Sequence, residues 1–348
     1  MKKKMNRRDF LKKGSTAAIG AGLAVKSGFS SGSLQQKSAR IIEVKHTEVL
    51  MEERLINVDI AREMLREGMK RLTASDNPWA HFLQPDERIG LKINTLGRPI
   101  LYTHHGLLQA LVMELKDYGV KEDNIIIWDR FESHMEDCDF DLTRKSGKVK
   151  CYGTIPLGND EDLIDKEVFY ESDVDNPEKR EESGTRSYFS KIFTQHCDKI
   201  INLPILKDHR LSGVTICLKN IAYGLCENNS RFHGAEHIGP FIADLCALPQ
   251  VGDKIVLHIL DGLEACYDQG PKPRLLRALF SPRSLWFGTD PVAIDAIGFQ
   301  RIDRERKYKA LPSLAEDGRP IDHIALAAKK GLGVNDLKRI EVERIKLG

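Results

Sequence analysis

The feature that most constrains the fold is a strand–helix–strand pattern between residues 88 and 129. Arg88–Asn94 is a short apolar segment bounded by turns, and Asn124–Asp129 is continuously hydrophobic in its middle, as are strands covered on both faces. His105–Tyr118, which lies between them, carries leucines at helical spacing, and Gly119 supplies a C-terminal cap. We therefore predict a βαβ unit, in which two parallel strands are joined by a right-handed crossover.

The same alternation continues through the rest of the chain. Further strands are predicted at 198–206, 253–260, 284–288 and 338–346, and further helices at 57–72, after the Asp290-Pro291 cap, and at 321–330. Hydrophobic residues make up 41% of the chain, which is enough for a large core. The predicted fold class is α/β, with a doubly wound, mostly parallel sheet and helices on both faces.

Residues 40–348 are predicted to form a single α/β domain, since one such domain can reach about 250 residues or more. The most polar stretch, 171–186, is predicted to be a surface excursion. The alternative is a domain of two lobes, 40–165 and 190–348, which this excursion joins.

Residues 1–33 are predicted to be an export signal. Seven Lys and Arg residues precede an uncharged, Ala- and Gly-rich segment at 15–25, which is the order of a targeting peptide. Arg7-Arg8, followed by Asp-Phe-Leu-Lys, is typical of the twin-arginine pathway, and the alternatives are an ordinary secretory signal and a disordered basic arm. The apolar segment is shorter than the ~20 residues of a membrane span, so no permanent membrane span is expected.

This signal predicts a periplasmic or other extracytoplasmic location, with the twin-arginine translocase as partner during export. The signal holds eight Lys and Arg residues and one Asp, a charge of +7 in a chain of +2, so the remainder carries −5. An acidic body argues against nucleic acid as a partner, because phosphate binding needs a clustered positive surface.

The seven cysteines form no C-x-x-C pair, so the sequence contains no iron–sulfur or structural zinc motif. The twin-arginine pathway carries proteins that fold before export, and it is most useful to those that first acquire a cofactor. We therefore expect a metal or another cofactor that is inserted before export.

Polar residues are dense where the predicted strands end, and open parallel sheets bind ligands beyond the carboxyl ends of their strands. The predicted catalytic residues are Lys207, His209, Lys219 and Asp129; the predicted ligand-binding residues are Lys92, Asn94, Asn202, Asn220, Asp261 and Asp290; and the predicted metal ligands are His104 and His233.

Several of these residues also have an ordinary structural explanation. Asn94 and Asp261 fit turns, and Asp290 fits a helix cap. Lys207 and Lys219 are harder to explain in this way, because they flank apolar segments and are therefore expected to converge in a cleft. There they would bind an anionic ligand, change one another's pKa or hold a covalent cofactor.

His233-Gly-Ala-Glu-His237 matches the H-x-x-E-H pattern of inverzincin metallopeptidases. A zinc peptidase would need a firm helix with both histidines on one face and a third ligand. Gly234 and Gly239-Pro240 weaken the predicted helix, so we favour another site role for His233.

Five segments together resemble the domain-of-unknown-function family 362 over roughly residues 55–345. They are Glu87–Asn94, Ile125–Arg130, Ile201–His209, Leu218–Asn220 and Gly288–Asp295. The resemblance is to the exported, twin-arginine-signal members that lack a ferredoxin-like segment.

The resemblance implies redox neighbours, since some relatives are fused to ferredoxin-like iron–sulfur segments. This chain lacks the corresponding cysteines, so cluster binding is not carried over. The family pattern usually has proline after the histidine at His104, where this chain has His105. It contains a histidine at His233 but none at His237, which further weakens the zinc-peptidase hypothesis.

The function predicted first is an exported, metal- or cofactor-dependent and redox-linked enzyme that acts on a small anionic substrate. In it, Lys207 and Lys219 would hold an anionic group while His209 or His233 moves protons or binds metal. One alternative is a non-catalytic periplasmic binding protein for an anionic small molecule, and another is a structural partner of a redox complex. The Leu-Pro-Ile-Leu-Lys207 strand end also looks somewhat like that of nickel-pincer lactate racemases, in which Lys207 would be the matching lysine.

Overall fold

A computed structural model describes residues 38–158 and 160–348, so the predicted export signal lies outside the described residues. The strands are β1 Ala39–His46, β2 Ile89–Lys92, β3 Ile125–Phe131, β4 Lys150–Ile155, β5 Ile164–Glu171, β6 Arg186–Ser190, β7 Lys199–Asn202, β8 Ile205–His209, β9 Gly213–Thr215, β10 Ile255–Cys266, β11 Leu279–Phe280, β12 Ser284–Gly288 and β13 Ile340–Leu347. The α-helices are α1 Val58–Thr73, α2 His105–Tyr118, α3 Glu132–Glu136, α4 Cys217–Gly224, α5 Ala235–Cys246, α6 Pro249–Lys254, α7 Pro291–Tyr308 and α8 Asp322–Lys329.

One large sheet organises the described part of the chain, with its main strands in the order β13-β1-β12-β10-β7-β2-β3-β4. β12 is antiparallel to both of its neighbours, whereas the other adjacent pairs along this path are parallel. Of the short strands, β8 and β11 pair with β10, and β9 pairs with β8. The sheet is therefore mixed but mostly parallel, as predicted.

Two apolar cores lie on opposite faces of this sheet. α1 and α2 cover one face, where Met64 and Leu111 join Leu91 of β2. α4, α5, α7 and α8 cover the other face, where Phe241 and Ile294 belong to the same core. Successive strand residues alternate between the two cores, as the side chains of a strand must. The predicted doubly wound α/β fold, with helices on both faces, is confirmed.

The predicted βαβ unit is formed by β2, α2 and β3. α2 spans the predicted residues and ends at Gly119, whose φ of 110° lies in the left-handed region that favours glycine. β2 and β3 are parallel, with Lys92 opposite Trp128. A run of leucines at helical spacing and a terminal glycine were thus sufficient to place this helix.

Proline explains two differences between prediction and structure. The single strand predicted at 198–206 is two strands, β7 and β8, separated by Leu203-Pro204, because proline has no N–H for the strand ladder. Conversely, α5 continues through Pro240, although the sequence had suggested a weak helix there. Pro240 lies in the first half of α5 and is exposed. Because proline has no N–H, one backbone carbonyl in the first turn of α5 has no partner within the helix, and solvent can hydrogen-bond to it.

Segments from both halves of the chain interleave in the sheet. β1 lies between β12 and β13, although it was not predicted as a strand. The polar stretch 171–186 is the end of a hairpin formed by β5 and β6, which pair only with each other among the described strands. Within the described ranges, no helix has the length and apolar character needed to cross a lipid bilayer.

We predict that Gly262→Ala destabilises the fold. Gly262 lies in β10, where a Cβ atom would overlap the buried Trp286 ring and lie 2.8 Å from its Cη2 atom. Overpacking of this kind costs about 1–3 kcal/mol, which urea denaturation would measure. The control is Gly252→Ala in α6, where a Cβ meets open space and the free energy of unfolding should not fall. Equal stability of the Gly262→Ala variant and the wild type would contradict the packing described for β10.

Candidate functional site

The parallel strands β2, β3 and β7 end at one edge of the sheet, where β10 continues past His258, and polar residues of all four strands meet there. Lys92 of β2 lies beside Asn202 of β7, and Asn202 lies beside His258 of β10. This edge collects side chains from segments that are more than 150 residues apart in the sequence. It is the place where such sheets bind ligands.

A buried ion pair joins the ends of β2 and β3. Lys92 Nζ lies 2.7 Å from Asp129 Oδ1, and it also donates to the backbone carbonyl of Ile93. Asp129 Oδ2 accepts from the backbone N–H and the hydroxyl of Thr95, at 2.8 and 2.6 Å. Burial alone would raise the pKa of Asp129, but Lys92 and Thr95 outweigh it and the pKa is lowered. Asp129 is therefore ionised, and because Lys92 and Thr95 occupy its oxygens it is not free to act as a base.

A chain of buried side-chain amides crosses the floor of the site. Lys207 Nζ donates to Asn94 Oδ1 at 2.6 Å, Asn94 Nδ2 donates to Asn220 Oδ1 at 2.8 Å, and Asn220 Nδ2 donates to Asn202 Oδ1 at 2.8 Å. Asn202 Nδ2 then lies 3.0 Å from His258 Nδ1. Burial lowers the pKa of His258 to about 3, so its ring is neutral and Nδ1 can accept this bond. Each amide in this row accepts a hydrogen bond from the side nearer Lys207 and donates on the other side. The positive charge of Lys207 therefore sets the orientation of all three amides.

Lys219 differs from the other buried lysines of this edge because its ammonium has no hydrogen-bonded partner among the described residues. Lys219 lies in α4 and is only 2% exposed. Its Nζ lies 3.8 Å from the centre of the Tyr223 ring, one helical turn further along. Burial, reinforced by repulsion from Lys207, lowers the pKa of Lys219 to about 7.

Lys219 lines a cleft with a volume of about 190 Å³. The residues around it are Lys92, Asn94, Leu96, Asp129, Arg130, Phe131, His134, Thr215, Asn220, Tyr223, Gly224, Asn229 and His233. Two polar atoms of this lining are buried without a hydrogen-bond partner, namely Thr215 Oγ1 and Arg130 Nε. Asp129 supplies the lining's single carboxylate, and Lys92 already neutralises it.

The cleft passes close to the backbone of Gly224, at the end of α4. A Cβ atom at Gly224 would overlap Cε of Lys92 and lie 2.7 Å from its Nζ. The missing side chain therefore gives the Lys92 ammonium room to reach Asp129. Tyr223, just before it, packs edge-on against the His233 ring, with 4.7 Å between the ring centres. Burial, with Lys219 and other cations nearby, lowers the pKa of His233 to about 4, so this ring is neutral near pH 7.

Lys207 and His209 lie behind the cleft lining rather than in it. Lys207 is fully buried and occupied by Asn94. His209 Nδ1 accepts from the backbone N–H groups of Leu211 and Ser212, at 3.0 and 3.2 Å, and so closes the turn between β8 and β9. Burial and the charge of Lys219 hold the pKa of His209 well below its ordinary value. Both residues therefore support the site from behind.

His104 lines a second cleft, with a volume of about 360 Å³, and Asp261 is fully buried behind it. The His104 backbone N–H and Nδ1 lie 3.0 and 2.8 Å from Asp261 Oδ2, and Nε2 lies 3.9 Å from Glu264, which also binds Arg54. Burial alone would lower the pKa of His104, but Asp261 and Glu264 outweigh it and raise the pKa to about 9. The two cations, His104 and Arg54, and the two carboxylates, Asp261 and Glu264, therefore neutralise one another.

The two predicted metal ligands thus line different clefts. His104 is protonated near pH 7 and donates Nδ1–H to Asp261, which does not fit a metal ligand. His233 precedes α5, so it does not share a helix with His237 as the H-x-x-E-H pattern would need. In the part of the chain that the structure describes, no three His, Cys, Asp or Glu side chains are grouped to hold a metal ion.

The structure places Asp290 at the opposite edge of the sheet, which corrects its assignment to the site. β12 runs antiparallel to β10, with Gly288 opposite His258, so Asp290 follows toward the amino end of β10. Its carboxylate accepts from the backbone N–H groups of Ala293 and Val334, at 2.8 and 2.9 Å, as the cap of α7. The sequence prediction had assumed that this strand runs parallel to the others.

The sequence prediction missed Tyr223, Thr215 and Arg130 as cleft residues. Tyr223 follows Lys219 by four positions, so helical spacing could have placed it on the same face. Arg130 directly follows Asp129 at the end of a predicted strand. Nothing in the local sequence marks Thr215, because its position depends on the turn between β8 and β9.

Comparison with known proteins gives one family assignment. Residues 89–300 match the family described as Domain of unknown function (DUF362). No curated protein and no solved structure matches the chain significantly. The matched region covers well over half of the chain and contains every residue of the Lys219 cleft. The chain therefore belongs to the DUF362 family.

Proposed function

We propose that this protein is an enzyme that binds a small anionic substrate in the Lys219 cleft and acts on it through the Lys219 amine. The observation that carries the proposal is a buried lysine on the wall of a cleft, without a hydrogen-bonded partner among the described residues. A cation that no nearby carboxylate neutralises attracts an anion.

The charge and size of the cleft support a small anion. Lys92 and Asp129 neutralise one another, whereas Arg130 and Lys219 add positive charge that no carboxylate of the lining offsets. The volume of about 190 Å³ suits a carboxylic acid or a phosphate of a few carbon atoms.

The reactive role of Lys219 follows from its lowered pKa. A lysine with a pKa of about 7 is divided between the ammonium and the amine near neutral pH. It can therefore take up and release a proton, or attack an electrophilic carbon, under conditions in which a solvated lysine stays charged.

A non-catalytic binding protein for a small anion is the second candidate. This candidate is favoured because two of the predicted catalytic residues, Asp129 and His209, already accept hydrogen bonds from other residues of the protein. Neither acceptor is free to take a proton from a substrate. A covalent cofactor on Lys207, as in the nickel-pincer hypothesis, finds no support, since Lys207 is fully buried and bound to Asn94. Because His104 and His233 line separate clefts, the proposal includes no metal.

We further propose that the chain is exported in the folded state by the twin-arginine translocase. The signal residues lie outside the described part of the structure, so the proposal rests on the sequence Arg7-Arg8-Asp-Phe-Leu-Lys. All seven cysteines are described, and each is a free, buried thiol, so the fold needs no oxidising compartment.

Lys219→Met should weaken the binding of small anions. The substitution keeps the buried chain length but removes the charge, and loss of a charge-assisted contact raises Kd by about tenfold or more. Isothermal titration with lactate, acetate and phosphate would measure Kd. Lys338→Met, at an exposed lysine outside the cleft, is the matched control and should leave Kd unchanged.

Absence of binding by any of these anions to the wild type would contradict the proposal. Nuclear magnetic resonance spectra of the bound anions, recorded over time, separate the two candidates. Chemical conversion that Lys219→Met abolishes supports the enzyme. Binding without conversion of any anion supports the binding protein.

The stability difference between Lys219→Met and the wild type should depend on pH. The folded pKa of Lys219, about 7, lies below its unfolded value near ~10.4. Between these values the unfolded chain binds the extra proton, so the wild type gains stability as pH rises. The variant lacks this gain, and its free energy of unfolding relative to the wild type should fall by about 2–3 kcal/mol from pH 6 to pH 9. A difference that is constant with pH would show that Lys219 is not buried as described.

Replacing both signal arginines by lysine, Arg7→Lys with Arg8→Lys, should keep the protein in the cytoplasm. The twin-arginine pathway reads the arginine pair itself, whereas a general secretory signal needs only positive charge. Fractionation of cells that express the full chain would locate it. Lys2→Arg with Lys3→Arg is the charge-matched control, and export of both double variants alike would contradict the assignment.

A further inference from the structure

Two donor groups in the Lys219 cleft have no acceptor in the described structure. Thr215 is 2% exposed, and its hydroxyl Oγ1 is buried without a partner. Arg130 holds Asn229 Oδ1 with Nη1 at 2.7 Å, but its Nε is buried without a partner. Buried donors are normally satisfied, so an unsatisfied pair in one cleft indicates an acceptor that belongs to a ligand. A carboxylate supplies two oxygens and suits a hydroxyl together with a guanidinium.

The surroundings of Lys219 differ from those of a lysine whose role is to neutralise a carboxylate. Lys92, in the same cleft, shows the latter arrangement, because Asp129 lies 2.7 Å from its ammonium. Lys219 instead faces the Tyr223 ring and has Lys207, another cation, close enough to disfavour its charge. The absence of a nearby opposite charge and the presence of a like charge both favour the neutral amine of Lys219, which is its nucleophilic form.

We propose that Lys219 condenses with the carbonyl group of a small oxo acid, whose carboxylate is bound by Thr215 and Arg130. This inference rests on the proposed function and names its substrate class. A carbonyl carbon next to a carboxylate gives one molecule both features that the cleft requires, an electrophile for the amine and an anion for the two donors. Glyoxylate and pyruvate are the smallest such molecules, and they suit the volume of about 190 Å³.

The condensation balances without any further reactant. The lone pair of Lys219 Nζ attacks the carbonyl carbon, the C–N bond forms as the C=O π bond breaks, and one proton moves from nitrogen to oxygen to give a carbinolamine. The hydroxyl group then leaves as water with the second nitrogen proton, and nitrogen and carbon form the C=N bond of an imine. Amine and carbonyl give imine and water, and nothing is oxidised or reduced. The imine nitrogen can then take up a proton from solvent, and the resulting cation lies beside the Tyr223 ring, which favours a cation.

Reductive trapping tests the inference. The full protein is incubated with glyoxylate or pyruvate and sodium cyanoborohydride, which reduces an imine to a stable secondary amine, and the modified lysine is located by peptide mass spectrometry. We expect modification concentrated at Lys219, and none at position 219 in Lys219→Arg. Thr215→Val removes an unpaired hydroxyl at nearly constant volume, so the fold should persist while trapping slows by about tenfold. Acetone, which lacks the carboxylate, should modify Lys219 much less than pyruvate does.

Titration with lactate, which has the carboxylate but no carbonyl group, separates this inference from the proposed function. Lactate binding without trapping of glyoxylate or pyruvate at Lys219 would overturn the condensation and leave the anion site intact. Trapping spread over exposed lysines, with no preference for Lys219, would also overturn it. Failure of both lactate binding and trapping would overturn the inference and the proposed function together.

Discussion

The ion pair between Lys92 and Asp129 determines the character of the whole site. Asp129 is the single carboxylate in the lining of the cleft, and Lys92 and Thr95 occupy both of its oxygens. Because this carboxylate is committed, Arg130 and Lys219 remain without one. A buried charge that lacks an opposite charge is costly, so it is retained where a ligand or a reaction uses it. The positive cleft is therefore a consequence of how one buried pair is satisfied.

The segment between β2 and α2 connects the two clefts. Asn94, at one end of it, belongs to the row of amides and lines the Lys219 cleft, while His104, at the other end, lines the second cleft and is hydrogen-bonded to Asp261. Thr103 fastens the segment, since its hydroxyl accepts from the Asn94 backbone N–H and donates to the Leu203 carbonyl, both at 2.9 Å. The short segment that separates the two clefts is thus hydrogen-bonded across its ends, between Asn94 and Thr103.

Local patterns in the sequence were sufficient to predict the βαβ unit and the crowding of polar residues at one edge of a parallel sheet. They bring Lys92, Asn94 and Asn220 to this edge, where the structure also has them, because each lies within or directly beside an apolar segment. Strand direction is decided by pairing with distant segments, and for this reason Asp290 was assigned to the wrong edge. The distinct roles of Lys207 and Lys219 were also out of reach, because each depends on a partner from another element, Asn94 for one and the Tyr223 ring for the other.

The position of β1 has a consequence for the order in which the chain can fold. β1 begins at Ala39, a few residues after the predicted signal, yet its two neighbours are β12 and β13, from the last quarter of the sequence. β1 therefore has no partner from β12 until residues 284–288 have been made, and none from β13 until residues 340–347 have been made. The side of the sheet that contains β1 can close only when the chain is nearly complete.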